Sequence, residues 1–148
     1  DSNTFDFTQL VAEVKGYIPL GVKSRTIALR FRTSQSESES GSIIPFFLME
    51  TVGGATTIRG FDDQRFRDTR NLLMNVEYRW ELLPYTDWTV FLDAGKVFHE
   101  RSDFNFNDLH VGYGTGLRIH AAEDFVLRLD FAWSEEGFKI HFNTGPRF

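Results

Sequence analysis

Arg70-Asn71-Leu72-Leu73-Met74-Asn75-Val76-Glu77-Tyr78-Arg79-Trp80-Glu81-Leu82 decides the fold. Leu72, Met74, Val76, Tyr78, Trp80 and Leu82 lie on one side of a period-two alternation, and Asn71, Leu73, Asn75, Glu77, Arg79 and Glu81 lie on the other. This is the pattern of a β-strand with one apolar and one mostly polar face. The stretch is about twice as long as the usual strand of about five or six residues.

The same alternation recurs outward in both directions. Downstream it predicts strands over residues 87–98, 108–120, 124–134 and 138–148, and upstream over 3–18 and 24–34. Phe5 and Phe7 stand out of phase with Leu10, Ala12 and Val14, which predicts a bulge near Thr8-Gln9. Pro19-Leu20-Gly21, Leu83-Pro84-Tyr85, Ala121-Ala122-Glu123 and Ser134 to Gly137 read as tight turns. Residues 35–69 read as one long loop, with a Ser/Glu-rich solvated tip over 34–42. Residues 99–107 read as a polar loop with two phenylalanines.

Seven strands of this length match the roughly 9–11 tilted residues that cross a bilayer. Short turns on one side and longer loops on the other also fit an outer-membrane barrel. One face would carry Glu13, Lys15, Arg30, Arg32, Glu77, Arg79, Asp93, Arg118, Arg128, Asp130 and Arg147, too many charges for a soluble core. Period two alone also fits a soluble two-sheet sandwich with those charges turned to water. An odd count of seven points to part of a larger barrel, because open edges cannot face lipid and bacterial single-chain barrels have even strand numbers.

Composition narrows the classes. The net charge of −5 argues against a nucleic-acid binder. No cysteine is present, so neither a disulfide framework nor a thiolate metal site is expected. That fits an aqueous cytosolic protein and a bacterial envelope protein alike. No stretch approaches the roughly 18 apolar residues of a transmembrane helix, and no signal peptide is visible. A start at Asp1 reads as a mature protein or a fragment. The compositional anomaly is 16 Phe.

Within the long loop, Gly53-Gly54-Ala55-Thr56-Thr57-Ile58-Arg59-Gly60-Phe61 is not low-complexity. A loop of this length in a compact chain is commonly functional. Gly53 and Gly54 permit positive φ, and Gly60 permits a sharp bend after Arg59.

These residues resemble the C-terminal half of the BamA/TamA/FhaC outer-membrane superfamily, the bacterial surface antigens. The family loop carries a proline with aromatics, then Gly-Gly, then an aliphatic-Arg-Gly-aromatic element. Here stand Pro45-Phe46-Phe47, Gly53-Gly54 and Ile58-Arg59-Gly60-Phe61. Glu77-Tyr78-Arg79, Phe91-Leu92-Asp93-Ala94-Gly95, Gly114-Thr115-Gly116-Leu117-Arg118 and Arg128-Leu129-Asp130-Phe131-Ala132 follow in the family's order, and the chain ends on Phe148. Each tetrapeptide is weak alone; their order and spacing together are specific.

The resemblance implies a single all-β domain over residues 1–148: part of an antiparallel transmembrane β-barrel of sixteen strands, with the long loop folded into its lumen. It implies that Arg59 meets Asp93 and Glu77, both already on the polar phase of their strands. It also implies that the last strand, with Phe138, Ile140, Phe142 and Phe148, serves as the signal by which barrels are recognised for insertion. Pro146 would weaken pairing near that end. The expected place is the bacterial outer membrane. The expected partners are outer-membrane lipid, unfolded outer-membrane or secreted clients, and N-terminal strands and periplasmic domains not in this sequence. The expected role is non-enzymatic: inserting or translocating proteins. A barrel anchor or pore for another N-terminal domain, such as a lipase, and a soluble β-sandwich binding module are the alternatives.

No catalytic or metal constellation emerges. His110 and His120 share a face but stand ten residues apart, roughly 33 Å along a strand. His99 lies in a loop and His141 on another strand, so metal-ligand spacing is lacking. Glu77 and Asp93 could be read as a glycosidase pair, but no cleft is evident. There is no nucleophile elbow and no P-loop, and no cofactor is expected.

Overall fold

The computed structural model describes residues 7–21, 24–38, 44–121 and 125–145. Seven long strands form one antiparallel sheet: β1 (Phe7–Pro19), β2 (Arg25–Ser38), β5 (Arg70–Leu83), β6 (Thr86–Phe98), β7 (His110–Ala121), β8 (Phe125–Ser134) and β9 (Gly137–Thr144). Their spatial order follows the chain, with β2 beside β5. Between them the long connection builds a small two-stranded sheet of β3 (Glu50–Val52) and β4 (Phe66–Asp68).

The alternation assigns the two faces. On the outer face Val76, Leu92, Tyr113 and Ile140 remain exposed. On the inner face Leu73, Asn75, Glu77, Phe91, Asp93 and Asp130 are buried, because the long connection folds back over them. Val52, Ile58 and Phe61 from that connection pack on Leu73, with Phe66 and Val97 at the margin. The hydrophobic core therefore lies between a loop and one face of a sheet, and among the described residues most of the sheet's other, apolar face stays uncovered. Among the described residues no helix is long and apolar enough to cross a membrane, which says nothing of strands that cross.

Several sequence expectations are corrected. β2 continues to Ser38 and does not end at 34, and residues 39–42 of the expected tip lie outside the described residues. Its serines alternate because the inner face here is polar: Ser34 and Ser36 turn inward and donate to Glu50. The bulge near Thr8-Gln9 is absent; pairing runs unbroken from Phe7↔Ser38 to Pro19↔Thr26. Phe7 takes the inner phase with Gln9, and Pro19 closes the strand instead of opening the turn. The register shift falls instead at Glu81/Leu83, next to the Pro84 turn. Residues 35–69, expected as one long loop, include the end of β2, β3, β4 and a 3₁₀ turn at Phe46–Leu48. The last strand ends at Thr144. Phe5, the Ala122-Glu123 turn, Pro146, Arg147 and Phe148 lie outside the described residues.

Candidate functional site

The inner-face site starts from a tight turn. Gly54 N–H donates to the Ile58 carbonyl (3.0 Å) and Thr57 N–H to the Gly54 carbonyl (3.2 Å). The Thr57 hydroxyl accepts from Gly53 N–H and donates to the Gly53 carbonyl, both at 2.8 Å. Gly54 sits at φ +94°, with Asp63 where a β-carbon would stand. This closed turn presents Ile58 to the core and Arg59 to the sheet.

Arg59 is fully buried. Its Nε and Nη2 donate to the two oxygens of Asp93 at 2.8 and 3.0 Å, and its backbone N–H adds a bond of 3.1 Å to the same carboxylate. Nη1 reaches Glu77 at 2.9 Å and Asp130 at 3.4 Å. The guanidinium carbon lies 3.2 Å from the Phe91 ring centroid, a cation–π contact. A planar fork with five donors suits this geometry, whereas a lysine would offer a point charge. Burial opposes the charge on Arg59, but Asp93, Glu77 and Asp130 outweigh it and hold its pKa above the ordinary arginine value.

A second tier holds the first. Asn75 Nδ2 donates to Asp93 and to the Thr57 carbonyl, both at 2.9 Å. Arg118 bridges Glu77 (3.0 Å) and Asp130 (2.7 Å), and Arg128 approaches Asp130 at 3.4 Å. Arg59, Arg118 and Arg128 thus balance Glu77, Asp93 and Asp130, all buried. Beyond Arg59 the bend is clamped: Gly60 N–H donates to His141 Nε2 (3.2 Å), and the Ser134 hydroxyl donates to the Gly60 carbonyl (2.7 Å). Gly60 has φ +94°, where a side chain would be strained.

Glycines on β7 make room for this. A methyl at Gly112 would overlap the Arg59 carbonyl, and one at Gly114 would meet the Phe91 ring. A methyl at Gly116 would strike Asp130.

Of the residues singled out in the sequence, Gly53, Gly54, Ile58, Arg59, Gly60, Phe61, Glu77 and Asp93 converge here. Phe138, Ile140 and Phe142 do not; they stand exposed on the outer face of β9. Sequence reasoning missed Asp130, Arg118 and Arg128 as members of the cluster, and His141 and Ser134 as the clamp. It also missed Glu50, a buried carboxylate on β3 that accepts from Ser34, Ser36, Asn71 and Gln9. The inner-face alternation and the every-second glycines of β7 were the available signals.

The family model of the Omp85 superfamily domain matches residues 2–148. The fold is similar to the crystal structure of BamA from Haemophilus ducreyi lacking POTRA domains 1-3, with a TM-score of 0.75 at 16% sequence identity. That match covers 94% of this chain and 34% of the BamA chain, so this chain spans about a third of that structure's length. No curated protein sequence matches it.

Proposed function

This chain belongs to the Omp85 superfamily and is part of an outer-membrane β-barrel, and we propose that the barrel assists insertion or translocation of proteins at the bacterial outer membrane. The observation that carries the reading is the loop held on the inner face by Arg59 between Asp93, Glu77 and Asp130. A plug element pinned by a buried charge cluster is suited to steady a barrel whose wall must yield to a client. Clients would be unfolded outer-membrane or secreted proteins, and no covalent chemistry is involved. On this reading the terminal strand, with Phe138, Ile140 and Phe142 outward, is the chain's own insertion signal.

The test reconstitutes the full-length protein in liposomes and follows folding of an unfolded porin by its protease resistance. Acceleration over empty liposomes, reduced in Arg59→Ala, is the expected result. Ion conductance with no acceleration would instead assign an anchor or pore for another domain.

A further inference from the structure

We infer that the outer face carries a binding site for a phosphate-bearing acyl lipid, in a cleft between β1, β2 and the 99–107 connection. The inference rests on the outer-membrane placement, not on the insertion role. The cleft has a volume of about 380 Å³ and is lined by Leu10, Ala12, Phe98 and Phe104, by Thr33 to Gln35 of β2, and by Arg70 and Arg101. Leu10, Ala12, Arg70 and Phe98 all take the outer phase: Leu10 pairs with Gln35, Gln35 with Arg70, and Arg70 with Phe98. Phe104 comes over from the connection and meets Phe98 edge to face at 6.2 Å. The sheet therefore supplies an apolar floor, and the connection supplies a roof.

The height is that of a membrane interface. Arg70 and Trp80 stand on the outer face of β5, ten residues apart. That is roughly 33 Å along the strand, or about 25 Å along the membrane normal at a tilt near 40°, the height of a barrel's apolar band. At the Trp80 end, Trp88 packs beside it and Arg25 lies 5.0 Å from its ring, an interfacial aromatic girdle. Arg70 therefore marks the opposite interface.

Charge fixes the headgroup. Arg70 Nη2 (3.0 Å) and Arg101 Nη2 (2.5 Å) converge on one oxygen of a single carboxylate, Glu37. Arg70 Nε is buried without a hydrogen-bond partner. Lys96, also on the outer phase, is held by the neutral Asn105 and by the Asn107 carbonyl. Two guanidiniums sharing one carboxylate, above an apolar cleft at the edge of the apolar band, fit a phosphate with its acyl chain below.

The full-length protein in dodecyl maltoside is mixed with dimyristoyl phosphatidylglycerol, or with phosphatidylcholine of the same chains. Retained lipid is then counted by native mass spectrometry. The expected result is phosphatidylglycerol retained about fivefold or more over phosphatidylcholine, the scale of one basic residue near an anionic group. Arg70→Gln/Arg101→Gln should abolish that preference. Ala12→Trp, which fills the cleft and leaves both arginines, should lower retention of phosphatidylglycerol, and decides alone if the double variant does not fold. Equal retention of the two lipids, unchanged preference in the folded double variant, or unchanged phosphatidylglycerol retention in Ala12→Trp overturns the inference. So does full displacement by inorganic phosphate, which would mark an ion site. A protein stable without detergent that retains neither lipid would instead sink the membrane placement.

Discussion

Arg59 spends every face of its guanidinium: two carboxylate oxygens of Asp93, one oxygen each of Glu77 and Asp130, and the ring of Phe91. Removing it leaves three buried carboxylates facing two buried arginines and the partly exposed Arg79. Arg59→Ala is expected to destabilise the barrel by about 3–5 kcal/mol, the cost of breaking a buried pair. Heat-modified gel migration of the full-length protein measures this. Asp93→Ala should cost a similar amount, and the double variant much less than the sum; additive losses would mean the two groups are uncoupled. Arg59→Lys should rescue little, since an ammonium cannot span both oxygens of Asp93. The inward faces of Asp93 and Glu77 were legible because alternation gives each strand residue its face, and their meeting with Arg59 was implied by the family resemblance. Asp130, Arg118 and His141 were not, because alternation says nothing of height. Which inner-face residues meet depends on the registers of β6, β7 and β8, which single strands do not encode.

At the scale of the element, the long connection is tied down at several points, two of them buried carboxylate sites. Its turn is held by Arg59, and its β3 arm by Glu50, whose carboxylate takes hydrogen bonds from β1, β2 and β5. Glu50→Gln puts an amide donor against hydroxyl and amide donors. The expected loss is about 1.5–3 kcal/mol, the range for hydrogen bonds to a charged group. Hydrogen exchange should rise over residues 50–52 and 66–68 while β5 to β7 stay protected; an equal rise everywhere would show that the arm is not a separate unit. The sequence did not reveal this arm, because three-residue strands lack a readable period. The long strands were legible for the opposite reason: lipid outside and a polar inside impose period two from end to end.

For the whole molecule, the outer face separates a barrel from a soluble sandwich. Leu92, at mid-height on β6, is exposed. Leu92→Arg is expected to cost about 2–4 kcal/mol in folding into lipid vesicles, as for a cation on a lipid face near the midplane. A soluble sandwich exposing this residue to water would lose almost nothing. The outer cleft was not legible in the sequence, because its roof is a connection with no period of its own.

The balance of three buried arginines and three buried carboxylates has an electrical consequence. The six buried charges of the cluster sum to zero, and Arg79, partly exposed, adds one positive charge beside Glu77. Arg59→Ala makes the same place one unit more negative and loosens the loop that fills it. In planar bilayers under a KCl gradient, the reversal potential of that variant should move toward potassium relative to the wild type.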